Sequence, residues 1–179
     1  MKLIALAGKS GAGKTTAIEA ALGVMPGAYN FALSDPLKLM IDIGLSTFDV
    51  FQVDRMAEIP GLGVTRRHLE QTLGTEWGRN LVHQDIWAKI AAAKILKNKE
   101  AGVTSILDGI RFPNEVAMVK ALGGVLIYID RPDAPSVHEH SSEQYDIRQH
   151  CSIVITNNCP KEEFDDRVTE VFQELAGGD

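Results

Sequence analysis

The sequence has little cysteine, few aromatic residues, no long apolar run and no excess of positive charge. Its two cysteines, Cys151 and Cys159, do not form a C-x-x-C pair, so we expect free thiols in a reducing compartment and no disulfide. A formal net charge of -6 disfavours binding to polymeric nucleic acid. The apolar run before residue 8 is too short for a signal peptide, and none approaches a membrane span. We therefore expect a cytoplasmic protein that binds neither membranes nor nucleic-acid polymers.

Length and composition indicate one globular domain over residues 1–179, since 45% of the residues are hydrophobic and 23% are charged. Short apolar runs alternate with amphipathic segments along the chain. The predicted strands are 3–7, 29–33, 104–108, 125–129 and 151–155, and the predicted helices are 16–22, 35–45, one from 65, 84–99, 113–122 and 161–175. This alternation predicts an α/β fold with a parallel sheet covered by helices. Ligands of such sheets bind at the carboxyl ends of the strands.

The most specific motif lies between the first predicted strand and the first predicted helix. Residues 8–15 read G-K-S-G-A-G-K-T, a complete P-loop, which binds the phosphates of a nucleotide. Lys14 is expected to reach the β- and γ-phosphates, and the Thr15 hydroxyl is expected to bind Mg²⁺. The predicted ATP-binding residues of this motif are Gly11, Ala12, Gly13, Lys14, Thr15 and Thr16.

Two aspartates end predicted strands and could face the nucleotide. Asp108 has the position of the acidic residue that holds Mg²⁺ through water in P-loop proteins, and the alternative is a turn cap. Asp35 lies in the helix-start sequence Ser34-Asp35-Pro36 and could orient an attacking oxygen or serve as a helix N-cap. We predict a catalytic role for Asp35 and a magnesium site at Thr15 and Asp108.

Arginines are candidates for binding phosphate. Arg111 follows the third strand, and its planar guanidinium could grip a phosphate in a bidentate manner or pair with Glu115.

The helix predicted from Thr65 contains three arginines that form either an anion site or a solvated face: Arg66, Arg67 and Arg79. This helix has two stripes at four-residue spacing: a polar one of Arg67, Gln71, Thr75 and Arg79, and an apolar one of Leu69, Leu73 and Trp77. We expect the side chains of Trp77 and Trp87 in the core. In the predicted helix 84–99, we expect Lys94, Lys97 and Lys99 in solvent.

The polar stretch 131–149 has the composition of a mobile cover. Arg131 and Arg148 could close over the phosphates, and His138 and His140 are expected to belong to a surface loop rather than a metal site. After the fifth strand, Asn157-Asn158 could reach an adenine edge, and turn formation before Pro160 is the alternative.

Together these motifs resemble those of the bacteriophage deoxynucleoside monophosphate kinases, within the wider group of P-loop nucleotide and dephospho-coenzyme A kinases. The resembling segments include 67–79, R-H-L-E-Q-T-L-G-T-E-W-G-R, and 108–115, D-G-I-R-F-P-N-E. The most specific parts are L-G-T-E-W-G-R at 73–79 and the pattern D-x-x-R-F-P-N-E in the second segment. The resemblance also includes the P-loop and the segments 34–38, 140–143 and 155–158. One departure is Cys159-Pro160 after the two asparagines, where a glycine-led turn is expected.

The resemblance implies a three-layer P-loop kinase fold with a five-stranded sheet, an acceptor-binding helical region at about 36–100 and a lid at about 131–150. It implies transfer of the ATP γ-phosphate to a deoxynucleoside monophosphate with Mg²⁺, in the host cytoplasm if the chain is phage-encoded, and leaves a homodimer open. Lys14, Asp35, Arg111 and Arg131 are the expected catalytic residues, and Asn157 is an expected ATP ligand. The expected substrate-binding residues are Asp35, Lys38, Arg67, Gln71, Trp77, Arg79, Arg111 and Glu143.

Other P-loop proteins remain as alternatives. Another small-molecule kinase, with dephospho-coenzyme A or a modified nucleotide as acceptor, would share these motifs. A GTPase switch would need an N-K-x-D guanine signature, which the sequence lacks. A motor ATPase would usually need a longer chain.

Overall fold

The computed structural model describes residues 2–47, 54–133 and 146–178. The chain divides into two compact units, the first formed by Met1–Ala32 and Ala91–Asp179 and the second by Leu33–Ile90. The second unit covers most of the region 36–100 in which the acceptor site is expected. In chain order the α-helices are α1 (Lys14–Val24), α2 (Asp35–Ser46), α3 (Arg66–Gln71), α4 (Ile86–Glu100), α5 (Pro113–Ala121) and α6 (Lys161–Gly177).

The first unit is built on a five-stranded parallel sheet, as predicted. Its strands are β1 (Leu3–Ala7), β2 (Tyr29–Ala32), β3 (Ser105–Ile110), β4 (Val125–Asp130) and β5 (Ile153–Thr156), in the order β2-β3-β1-β4-β5. Every residue of the central strand β1 is buried, which explains its uninterrupted apolar sequence. Phe164 and Phe172 of α6 pack in the same core as Ile4 and Leu6 of β1. The three layers of this unit form an α/β fold.

The second unit has a smaller core of its own. Leu37, Ile41 and Leu45 of α2 are buried at four-residue spacing and pack with Ile59 and Trp87. Met40 lies next to Ile41 and three residues after Leu37, so the sequence pattern predicts it on the same apolar stripe, but it is exposed. Thr65 caps α3 as expected, because its hydroxyl oxygen accepts a hydrogen bond from the backbone N–H of residue 68 at 3.1 Å.

A π-helix over Thr72–Val82 continues α3, where the sequence predicts an ordinary α-helix. Its five-residue hydrogen-bonding step is visible at the end, where the N–H of His83 donates to the carbonyl of Gly78 at 2.9 Å. The expectation that Trp77 belongs to the core is wrong, since its side chain is 38% exposed. A wider helical turn does not keep residues at four-residue spacing in one line.

Helix α4 buries a different face from the predicted one. The spacing of Ile86, Ile90 and Ala93 in the sequence predicts that they share one apolar face, but Ile90 and Ala93 are exposed. The buried residues of α4 are Trp87, Ala88, Ala91, Ile95 and Asn98. Lys94, expected in solvent, lies over the ring of Tyr29 with its Nζ 4.2 Å from the ring centroid. No helix in the described ranges is long and apolar enough to cross a membrane.

Candidate active site

The P-loop connects β1 to α1 and has the backbone that its glycines predict. Gly8, Gly11 and Gly13 have φ values of 146°, 73° and 106°, which side-chain-bearing residues rarely adopt. A Cβ atom on Gly8 would lie 2.5 Å from the carbonyl oxygen of Ile129. The loop therefore passes so close to the end of β4 that only glycine fits at position 8.

Lys14 and Thr15 begin α1, so they lie at the positive end of the helix dipole. The Nζ of Lys14 donates to the carbonyl oxygens of Gly8 and Lys9, both at 2.9 Å, and thus lies against the loop. Thr15 is exposed in the first turn. This combination of a glycine cradle, an ammonium group and a helix N-terminus fits a polyphosphate.

Arg131 reaches the P-loop from the end of β4. Its Nη1 donates to the carbonyl oxygen of Gly11 at 3.1 Å, although the two residues are 120 positions apart. Arg148, the other arginine expected at the phosphates, forms a 2.9 Å ion pair with Asp130. The structure thus brings Arg131 to the predicted phosphate site, while Arg148 pairs at the adjoining strand end.

The central part of the expected lid, residues 134–145, lies outside the described residues. The predicted substrate ligand Glu143 and the histidines His138 and His140 belong to it. The polar composition of 131–149 predicts no core residue in this stretch, but Ile147, just after the undescribed part, is buried.

Asp108 lies in β3 beside the P-loop strand, paired with Leu6 of β1. The strand continues to Ile110, so the expectation that Asp108 ends it is wrong. Gly109, with a φ of 86°, is the additional residue of a bulge between the pairs Leu6–Asp108 and Ala7–Ile110. The Oδ1 atom of Asp108 accepts the N–H of Gly109 at 2.6 Å. Its half-buried carboxylate and the Thr15 hydroxyl supply the oxygen ligands that Mg²⁺ prefers.

Glu115, which the sequence suggests only as an ion-pair partner of the Arg111 guanidinium, instead binds the backbone of the loop before α5. Its side chain is 2% exposed, and its Oε2 atom accepts the backbone N–H groups of Arg111 at 2.6 Å and Phe112 at 3.0 Å. Glu115 is the third residue of α5 after the N-cap Phe112, the position from which a glutamate reaches back to the cap. That spacing was the signal available in the sequence. The carboxylate therefore holds the loop, and the Arg111 side chain is exposed.

Asn157 follows β5 and turns its side chain toward the P-loop. Its Nδ2 donates to the carbonyl oxygen of Ala12 at 2.8 Å, and its backbone N–H donates to the carbonyl of Asp130 at 2.7 Å. A Cβ atom on Gly13 would lie 2.6 Å from the same Nδ2. The adenine contact expected for Asn157 stays a prediction.

The other predicted acceptor ligands belong to the second unit. Asp35 and Lys38 lie in the first turn of α2, and Ser34 rather than Asp35 is its N-cap. Arg67 and Gln71 are half-buried on α3. On the π-helix, Arg79 donates from Nη1 to the carbonyl of Gln84 at 3.3 Å, and the ring of Trp77 lies 6.5 Å from that of Trp87.

Arg66 differs from its neighbour Arg67, although both were candidates for one anion site. Its guanidinium pairs with Asp42 at 2.5 Å and with the buried Glu70 at 3.3 Å. Hydrogen bonding to Asp42 raises the pKa of Arg66 above its ordinary value. Arg55 pairs with Glu70 at 2.7 Å, so two arginines neutralise this carboxylate. Arg66 therefore has a structural role in the second unit.

The parallel sheet, the P-loop after its central strand and the arginine at that loop define a P-loop kinase. Solved structures share the fold over almost the whole chain. A dephospho-CoA kinase from Campylobacter jejuni aligns over 98% of both chains with a TM-score of 0.59 and 19% identity. A gluconokinase from Sinorhizobium meliloti aligns over 98% of this chain and 93% of its own, with a TM-score of 0.52 and 13% identity.

Sequence comparison defines the family. The model of the deoxynucleotide monophosphate kinase family matches residues 59–168. A protein of Acanthamoeba polyphaga mimivirus, named "Putative deoxynucleotide monophosphate kinase", is 32% identical over 185 aligned positions that cover 92% of each chain. The chain belongs to the deoxynucleotide monophosphate kinase family. It is a kinase that phosphorylates a nucleotide monophosphate, and the resemblance drawn from its motifs is confirmed, with a viral relative rather than a bacteriophage one.

Proposed function

We propose that this protein transfers the γ-phosphate of ATP to a deoxynucleoside 5′-monophosphate, with the donor held in the P-loop. The observation that carries the proposal is the position of Arg131, whose guanidinium donates to the Gly11 carbonyl of the loop that also binds the Lys14 ammonium group through the carbonyls of Gly8 and Lys9. Two cations at one loop attract a triphosphate and neutralise part of its negative charge. They are also suited to stabilising the charge that spreads over a transferring phosphoryl group.

In this proposal Lys14 and the amides of Gly11, Gly13 and Thr16 bind the phosphates of ATP. The N–H of Ala12, also expected to bind ATP, donates to the carbonyl of Lys9 at 3.2 Å. Thr15 and, through water, Asp108 would hold Mg²⁺, which supplies charge neutralisation on the β- and γ-phosphates when bound. Arg131 stabilises the transferring group. Little covalent chemistry is required of the protein, so orientation and charge account for the rate.

The acceptor is proposed to be bound through its phosphate by Arg67, Arg79 and Arg111. Asp35 would orient the attacking oxygen. Arg67 and Arg79 are each half-buried, which restricts their side chains, while Arg111 stands on a loop held by the buried Glu115. The remaining proposed contacts to the acceptor are Lys38, Gln71, Trp77 and Glu143.

An acceptor screen with ATP and Mg²⁺ tests the proposal. ADP release is measured with each of the four common dNMPs, with the matching ribonucleotides and with dephospho-coenzyme A. We expect turnover with at least one dNMP. Faster turnover with dephospho-coenzyme A than with every dNMP, or ADP release that is indifferent to all acceptors, would contradict the assignment.

A variant of the P-loop lysine distinguishes turnover at this site from turnover by a contaminating kinase. Lys14→Met removes the ammonium group and should lower the turnover about 10²–10³-fold, the loss typical for one electrostatic contact to a transition state. Lys97→Met, at an exposed position of α4, is the matched control and should leave turnover unchanged. Equal activity of the two variants would refute the placement of the donor site.

A further inference from the structure

We propose that Asn157 is a positioning residue that orients the P-loop peptide between Ala12 and Gly13, and that its effect on the nucleotide does not depend on the base. The starting observation is the 2.8 Å hydrogen bond from Nδ2 of Asn157 to the carbonyl oxygen of Ala12, across 145 positions of sequence. The proposal deepens the proposed function, on which it rests for the identity of the donor site.

Planarity of the peptide bond converts this contact into control of the neighbouring amide. The C=O of Ala12 and the N–H of Gly13 belong to one rigid peptide group and point in opposite directions. When Asn157 holds the carbonyl on the side of β5, the N–H of Gly13 must point away from it. P-loop amides bind phosphate only when they are turned toward it together. One side-chain hydrogen bond thus preorganises a phosphate-binding group.

Asn157 is itself held in place at several points. Its backbone N–H donates to Asp130 at 2.7 Å, and the preceding carbonyl, of Thr156, accepts from Nη1 of Arg167 at 2.6 Å. Arg167 in turn pairs with Glu163 on α6 at 2.9 Å. The backbone that carries the Asn157 side chain is therefore anchored both to the sheet and to α6. This anchoring favours a fixed hydrogen bond to the loop over a mobile side chain that reads the base.

The glycine at position 13 fits the same interpretation. With a Cβ atom, residue 13 would approach Nδ2 of Asn157 to 2.6 Å and a ring carbon of Phe164 to 3.0 Å. The loop thus passes within contact distance of the asparagine only because position 13 has no side chain. Ala12, whose carbonyl accepts the hydrogen bond, is 1% exposed, so losing the donor would leave a poorly solvated acceptor.

The first experiment measures the loop without any ligand. Hydrogen–deuterium exchange of a peptide covering residues 8–15 is compared between the wild type and Asn157→Ala, with Asn157→Ser as a second variant whose hydroxyl is too short to replace the amide. Exchange should be several-fold faster in both variants. Asn30→Ala, an exposed asparagine of β2, is the matched control. Unchanged exchange in both Asn157 variants would overturn the proposal.

The second experiment separates a loop brace from a base contact. Binding of ATP, GTP and inorganic tripolyphosphate is measured by calorimetry, since tripolyphosphate has no base. Loss of one net hydrogen bond of about 1 kcal/mol predicts weakening of about five-fold for each ligand that binds measurably. Weakening of ATP alone would show that Asn157 reads adenine and would overturn the proposal. Neither experiment uses an acceptor, so failure of the proposed kinase reaction is recognised separately in the acceptor screen.

Discussion

Gly78 of the π-helix is the position at which a single methyl group should be most informative about the second unit. A Cβ atom built there would lie 2.6 Å from Cζ2 and 2.9 Å from Cε2 of Trp87, and 3.0 Å from the carbonyl oxygen of Leu73. Trp87 is only 3% exposed, and its indole N–H donates to the carbonyl of Gly74 at 2.8 Å. The ring cannot move away without losing that hydrogen bond.

Gly78→Ala should therefore destabilise the protein. Overpacking of a tight contact costs about 1–3 kcal/mol, whereas replacing a helical glycine by alanine ordinarily gains up to about 1 kcal/mol. The expected net loss is about 1–2 kcal/mol. For a chain of this size each kcal/mol corresponds to a change in Tm of about 2–4 °C. Urea and thermal unfolding, followed by circular dichroism, measure both quantities.

Gly44→Ala is the matched control, because Gly44 is an exposed glycine of α2 whose added Cβ would meet no described atom within 4 Å. It should leave stability unchanged or raise it by up to about 1 kcal/mol. A double-mutant cycle with Trp87→Leu isolates the clash, and the methyl group at position 78 should cost less when the indole is absent. If Gly78→Ala were as stable as the wild type, or if the cycle showed no coupling, the packing argument would be refuted.

Two further predictions concern groups outside the donor site. Glu70→Gln removes the charge that Arg55 and Arg66 share; because Glu70 is only 8% exposed, we expect a loss of about 1–3 kcal/mol in urea unfolding. A change below about 0.5 kcal/mol would show that the ion pairs contribute nothing. Burial raises the pKa of the Cys151 thiol to about 11, so iodoacetamide should alkylate it slowly at pH 8, and faster as pH rises toward 11. The folded protein keeps the Cys151 thiol protonated up to about pH 11, whereas the thiol of the unfolded chain ionises from about pH 9. The free energy of unfolding should therefore fall between pH 9 and 11, and Cys151→Ala should remove the contribution of this thiol to the decrease.

The sheet could be predicted from the sequence because its three inner strands, β3, β1 and β4, are largely buried. Leu3–Ala7 is apolar at every position, and no other secondary structure suits so short a buried run beside a P-loop. The π-helix could not be predicted, since the stripe at four-residue spacing indicates an ordinary α-helix. Packing of Gly74 and Gly78 against Leu37 and Trp87 accompanies the wider turn, and neither contact is visible in the local sequence.

The arginines show the corresponding limit for the candidate site. Arg66 and Arg67 are adjacent and chemically identical, so composition and spacing leave the same two alternatives, an anion site or a solvated face, for both. The partners of Arg66 separate them: Asp42 lies 24 positions earlier, and Glu70, one helical turn later, is buried. Only the folded unit shows which arginine is committed to an ion-pair network.

The donor site depends on residues that are remote in sequence, although its motif is contiguous. The carbonyl of Gly11 is bound by Arg131 and that of Ala12 by Asn157, which follow β4 and β5 on the same side of the P-loop strand. Peptide planarity means that the bound carbonyl of Ala12 also constrains the N–H of Gly13, whereas the N–H that follows the Gly11 carbonyl donates to the carbonyl of Lys9 at 3.2 Å. The P-loop motif sets the local conformation of the loop, and hydrogen bonds from the residues after β4 and β5 restrict its motion. Preorganised donors stabilise a transition state without reorganisation, so we infer that Arg131 and Asn157 raise the turnover rate by holding the P-loop in place.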